Sequence, residues 1–162
     1  MEDKQRMLEK CSHMALKHAD AESELDDCPK CSSQCKDLVI HFFNFLDTDR
    51  DKIHLLIDHT TTTLNFMDQE YHGLPYIMSF YINLPRSEHV LKNIEAERLR
   101  EYKEKECIGY SVNVRGTITF DGDIGTEKWF QQKFIILEIN EKFKILEMEF
   151  QYLEIEFQHL EE

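Results

Sequence analysis

The sequence predicts one α+β domain in which helices come first and a long antiparallel meander follows. Apolar stripes at helical spacing mark residues 38–84, and alternation at a period of two marks 108–120 and 129–152. Gly (5) and Pro (3) are too few for a low-complexity chain. With 162 residues there is room for one substantial core and not for two comfortable ones.

The elements follow in order. Residues 1–31 form an expected appendage: Met7, Leu8, Cys11, Met14 and Ala15 recur at helical spacing, then a polar linker runs to Pro29. The domain is expected over 32–155. Ser32 or Ser33 can cap a first helix whose broad stripe is Leu38, Val39, Phe42, Phe43, Phe45 and Leu46. Asp47-Thr48-Asp49 ends it and starts a second short helix through Ile53, Leu56 and Ile57. Thr60 to Phe66 is β-branched and extended, and MDQEYHG makes a tight connection. A third helix, with Pro75 in its first turn, carries Ile77, Met78, Phe80, Tyr81 and Leu84 and ends at Pro85.

Strands dominate the second half. Ile108, Tyr110, Val112, Val114, Ile118 and Phe120 alternate with Ser111, Asn113, Arg115, Thr117 and Thr119. DGDIG at 121–125 turns the chain, WFQQKFIILEI (129–139) returns, and Asn140-Glu141-Lys142 leads into FKILEMEFQY (143–152). A register with Ile139 opposite Phe143 also sets Ile136 opposite Leu146, Phe134 opposite Met148 and Phe130 opposite Tyr152. The other side then pairs Ile135 with Glu147, Lys133 with Glu149 and Gln131 with Gln151. A one-residue slip would mix the two sets, so the pattern specifies its own register.

The apolar side must be covered by the helices. The opposite side carries Trp129, Ile135 and Leu137 among polar groups, a mixture suited to contact with another protein. The expected contact residues are Asn113, Arg115, Gln131, Lys133, Ile135, Glu149 and Gln151.

Charge and composition narrow the function. A formal charge of −13 opposes phosphate-driven nucleic-acid binding and an anionic membrane partner. No run approaches the roughly 18 apolar residues of a membrane span. MEDKQRMLEK has no signal-like apolar region, so five Cys are expected as free thiols in a reducing compartment.

Several runs, in order and spacing, resemble the nuclear transport factor 2-like family, and its export-protein branch in particular. They are LDTDRDKIHLLI (46–57), Gly73, LPRSEH (84–89), VRGTITFDGD (114–123), FQQKFII (130–136) and FKILEMEFQY (143–152). The resemblance implies a cone: three helices in the concavity of a strongly curved antiparallel sheet, with dimerisation through the sheet's exposed face. It also implies a non-enzymatic adaptor that heterodimerises with a large mRNA export factor of the TAP type. Such a pair shuttles between nucleus and cytoplasm, meeting nucleoporins indirectly and needing no cofactor. Family members commonly place an Arg after the Phe of the last strand; here Gln151 follows Phe150, and Arg115 is the candidate replacement.

A rival role within the family is a homodimer that carries the GDP form of Ran. Its acidic contacts would fall on Asp121 and Asp123, although Met67 stands where a third acid belongs, and Asp-Gly-Asp is also an ordinary turn. Small-molecule isomerases and dehydratases of this fold need an ionisable group among apolar walls. The expected inward residues, Tyr110, Val112, Val114, Phe130, Phe134, Met148 and Phe150, supply none, and His89 and Tyr152 are expected to be structural. Cys28, Cys31 and Cys35 form a zinc candidate that Cys11, His13 or His18 would complete, against the plainer reading that Cys35 packs in a helix. Past Phe150, the apolar Leu153, Ile155 and Phe157 change phase, implying a bulge near residue 152 or an extension, before an acidic tail at 156–162.

Overall fold

The computed structural model describes residues 28–121 and 126–153. The expected appendage helix, Cys11, Asp123 and the acidic tail lie outside the described residues. Helix α1 spans Pro29–Thr48, a 3-10 helix spans Arg50–Leu56, and α2 spans Leu74–Asn83. Six strands complete the domain: β1 (Thr63–Phe66), β2 (Gln69–His72), β3 (Ser87–Tyr102), β4 (Lys105–Phe120), β5 (Lys128–Ile139) and β6 (Lys142–Tyr152).

The strands form one sheet in the order β2-β1-β6-β5-β4-β3. Every neighbouring pair is antiparallel except β1 and β6, which run parallel. The expected antiparallel meander is present, and β1 adds one parallel pairing at its edge. β1 follows the helical segment, so it meets β6 along the edge far from the β3–β4 hairpin instead of folding back on a sequence neighbour.

α1 begins at Pro29, with Cys28 as its N-cap, instead of at Ser32 or Ser33. Proline is favoured there because the first-turn N–H has no helical partner to lose. The buried stripe is Cys31, Cys35, Val39, Phe42, Phe43 and Leu46, the 3.6-residue period extended one turn upstream. These side chains meet an aromatic sheet face. The Phe42 ring lies 5.2 Å from Phe134 and 5.6 Å from Tyr81, and Phe66 stacks on Phe150 at 4.4 Å. Truncating one such buried ring to Ala costs about 3–5 kcal/mol.

All seven expected inward residues are buried, from Tyr110 at 3% exposure to Val112, Val114, Phe130 and Phe134 at zero. The expected β5–β6 register holds from Phe130↔Tyr152 to Ile135↔Glu147. Beyond it the pairing moves by one, to Ile136↔Ile145 and Ile139↔Lys142, with Leu146 left as a bulge. The cause is the hairpin. Asn140 and Glu141 both have positive φ (55° and 67°), so the turn has two residues and brings Lys142, not Phe143, opposite Ile139.

The same device closes two further hairpins, at Met67-Asp68 (φ 53° and 70°) and Lys103-Glu104 (φ 51° and 68°). Neither pair has the Asn-Gly or Asp-Gly signature by which a sequence displays such a turn, so the β1–β2 and β3–β4 hairpins carry no local mark. β3 sits in a stretch dense in Glu, Lys and Arg. Its apolar residues Leu91, Ile94 and Ala96 do pack on the core, but a register shift between Leu91 and Asn93 interrupts the period of two. A second shift lies between Leu99 and Glu101. Such irregularities bend a sheet, and here they let β3 and β4 wrap around α1.

Candidate protein-binding face

The residue pairings assemble the outer side of the sheet as rows that cross the strands. One row is Glu95, Asn113, Lys133, Glu149, Asn65 and Glu70; a second is Asn93, Arg115, Gln131 and Gln151; a third includes Glu97, Ser111, Ile135, Glu147 and Thr63. The seven expected contact residues therefore share this face. Arg115, Lys133, Glu149 and Gln151 are exposed, and Asn113, Gln131 and Ile135 are half-buried. Arg115 and Gln151 lie in one row with Gln131 between them, about 10 Å apart at two strand spacings.

Two features make this face more than a solvated surface. A groove of about 280 Å³ opens along β2, β1, β6 and β5, lined by Ile135, Leu64 and Met148 among the polar Lys133, Glu147, Glu149, Asn65, Glu70 and His72. The side-chain oxygen of Asn113 is buried with no hydrogen-bond partner among the described residues. A buried acceptor left unmatched costs free energy, and a donor from a partner would recover it.

The far end of the face is closed by the chain itself. The Tyr102 hydroxyl, at the β3–β4 hairpin, donates to the Glu147 carboxylate on β6. Burial, then the hydrogen bond to Glu147 and its charge, push the ionisation of Tyr102 well above its ordinary value. Leu137 lies over Gly109, where an added Cβ would come within 2.4 Å of the leucine side chain. Leu137 is thus 8% exposed and no longer available to a partner.

Sequence reasoning missed the outer-face contributions of β1, β2 and β3, namely Asn65, Glu70, His72, Glu95 and Glu97. The alternation of Ile94 and Ala96 with Glu95 and Glu97 was the available signal, cut off from Leu91 by a bulge.

The residues set aside as structural or metal-like are also accounted for. The His89 ring nitrogen lies 2.7 Å from Asp47 Oδ1, and the His89 amide donates to Asp47 Oδ2 at 2.7 Å. His89 packs on Phe43 and Phe130, and its side chain is 2% exposed, so it meets neither solvent nor an open cavity. Tyr152 lies edge-on to Phe150 at 5.2 Å. Asp121 is exposed in a turn, where its amide donates to the Arg86 carbonyl and its carboxylate stands 3.9 Å from the Arg86 guanidinium. Cys31 and Cys35 face the core with zero exposure, Cys28 caps α1, and among the described residues no three His, Cys, Asp or Glu converge on a metal position.

Within the cone, Gln132 is the one strongly polar side chain of β5 turned inward, at 2% exposure. It lies beside the fully buried Tyr81, whose hydroxyl donates to Met148 Sδ at 3.8 Å. Neither amide nor phenol exchanges protons near neutrality.

Residues 34–152 match the nuclear transport factor 2 domain. The chain belongs to that family. An export protein related to nuclear transport factor 2 from Caenorhabditis elegans is 25% identical over 114 residues, covering 70% of this chain and 81% of the worm protein. Among solved structures, nuclear transport factor 2 of Cryptosporidium parvum superposes with a TM-score of 0.64 at 20% identity, over 77% of this chain and 96% of that one. A family member from Streptomyces avermitilis, provisionally assigned as a dehydratase, superposes at 0.62 with 9% identity, over 75% and 95% of the two chains. The named transport relatives thus share their fold with enzymes, and the family domain contains the whole sheet face described above.

Proposed function

We propose that this domain is a non-enzymatic adaptor of nucleocytoplasmic transport, pairing through its outer sheet face with the matching domain of a large mRNA export factor and supporting its passage through nuclear pores. The observation that carries the reading is the half-apolar groove around Ile135 beside the Asn113 oxygen, which has no hydrogen-bond partner among the described residues. The export-protein relative supports the transport role. The inward face supports the absence of catalysis, because aromatic rings and an uncharged Gln132–Tyr81 pair stand where an acid or base would be needed.

Charge favours a different chain as the partner. The rows carry Glu70, Glu95, Glu97, Glu147 and Glu149 against Lys133 and Arg115. A two-fold self-pairing would bring this acid-rich face against itself, whereas a face bearing Lys or Arg complements it. Arg115 is well placed to take the part of the arginine missing at Gln151.

Co-expression with the export factor's matching domain tests this. Ile135→Arg is expected to abolish co-purification while leaving the melting temperature within a few degrees of wild type, because position 135 is outside the core. A tight homodimer of the isolated chain that tolerates Ile135→Arg would overturn the reading and favour the Ran-carrier arrangement. For Arg115, loss of affinity in Arg115→Ala is expected; unchanged affinity there, with a gain in Gln151→Arg, would refute its part.

A further inference from the structure

The thiols at the start of α1 are not used by the sheet face. Cys28 is the N-cap, and its Sγ accepts the Cys31 amide proton at 3.2 Å. Cys31 Sγ is joined to that amide nitrogen through only Cα and Cβ, so rotation about the Cys31 side chain brings it within bonding reach of Cys28 Sγ. A disulfide needs its two Cβ atoms about 3.5–4.5 Å apart, and the extended backbone of the N-cap turns Cys28 Sγ back over the first turn, to 3.2 Å from the Cys31 amide nitrogen. Pro29 holds the intervening turn, and the Cys28 carbonyl is pinned by the Ser32 amide at 3.0 Å and the Tyr110 hydroxyl at 3.4 Å.

The two sulfurs differ in access. Cys28 is half-buried and Cys31 has zero exposure. Cys35 lies one turn deeper and is equally buried, while Cys107 donates to the Leu99 carbonyl at 3.5 Å on the β3–β4 hairpin. A half-buried first thiol and a fully shielded second one, three residues on, are the arrangement of a redox-active dithiol.

We propose that Cys28 and Cys31 form a reversible intramolecular disulfide by exchange with a low-molecular-weight disulfide of the glutathione class. The Cys28 thiolate attacks one sulfur of that disulfide, breaking its S–S bond and releasing one thiolate. The Cys31 thiolate then attacks Cys28 Sγ and expels the second. Two protein thiols lose two electrons and two protons, and the small disulfide is reduced to two thiols. The new bond staples the first turn of α1 beside Tyr110. It leaves the sheet face untouched.

The full chain, equilibrated across glutathione redox buffers, quenched in acid, alkylated and peptide-mapped, tests this. Wild type is expected to lose two hydrogens, with Cys28 and Cys31 protected from alkylation and no glutathione retained. Cys31→Ala is expected to accumulate one glutathione on Cys28, because the resolving thiol is gone, and Cys28→Ser to leave residue 31 unmodified. The proposal is overturned if wild type stays fully alkylated, keeps glutathione on Cys28, or joins Cys28 to Cys11, Cys35 or Cys107. Wild-type mapping decides the matter alone should Cys31→Ala fail to fold.

Discussion

The carboxylate of Asp47 receives the His89 ring nitrogen, the His89 amide and the Ser87 hydroxyl, so that one side chain at the end of α1 holds the start of β3. Arg50 completes the junction by donating to the carbonyls of Leu46 and Tyr81, both at 2.8 Å, and to those of Leu84 and Pro85. The runs LDTDRD and LPRSEH, met as recognition features, are two halves of one clamp. Breaking a partly buried charged network of this kind costs about 3–5 kcal/mol when one partner remains.

Asp47→Ala is therefore expected to lower the unfolding free energy by about 3 kcal/mol in chemical denaturation. His89→Ala should cost a similar amount, and the double variant less than the sum. Full additivity would show that the two residues do not act on each other.

Gly116 is expected to tolerate no side chain. A Cβ there would lie 2.1 Å from the Val90 carbonyl oxygen and 3.1 Å from Leu91 Cα, both backbone of β3. Backbone cannot move aside without opening the bulged ladder, so Gly116→Ala should yield little soluble protein. Wild-type yield and melting temperature would refute this account of the β3–β4 packing.

The buried side-chain nitrogen of Gln132 has no partner within hydrogen-bond distance among the described residues, although the amide lies close enough to the Tyr81 hydroxyl to oppose the rise that burial gives its ionisation. Gln132→Met keeps the volume and removes the unmatched donor, and is expected to stabilise the fold by about 1 kcal/mol. A loss of more than that would mean that the interaction of the amide with the Tyr81 hydroxyl outweighs the cost of burying it.

Tyr81, Tyr102 and Tyr110 are all pushed above the ordinary value of 10.0, in each case mainly by burial. A raised folded value means the neutral phenol is favoured by the native state. Its contribution is complete below pH 10 and is lost as pH climbs beyond it. An absorbance titration should show these phenols ionising only with unfolding, and Tyr81→Phe should move the alkaline midpoint upward. An unmoved midpoint would remove Tyr81 from the linkage.

Much of the architecture is written locally. The stripe of α1, the alternation of β4, β5 and β6 and the inward set from Tyr110 to Phe150 follow from side-chain periods of 3.6 and 2, which a linear sequence displays directly. The outer character of Asn113, Arg115, Gln131, Lys133, Ile135, Glu149 and Gln151 follows from the same parity. β3 and the β1–β2 ribbon are different. They contain helix-compatible charged residues or only four positions each, and they are strands because neighbouring ladders supply their hydrogen bonds.

Sequence by itself determined which residues turn inward, because parity is a property of each strand alone. Tertiary structure decided which outward residues share a row, that Leu137 is covered while Ile135 is open, and that Asp47 finds His89. Those outcomes depend on turn length, one bulge and a parallel edge pairing, and each is settled by contacts between segments far apart in the chain.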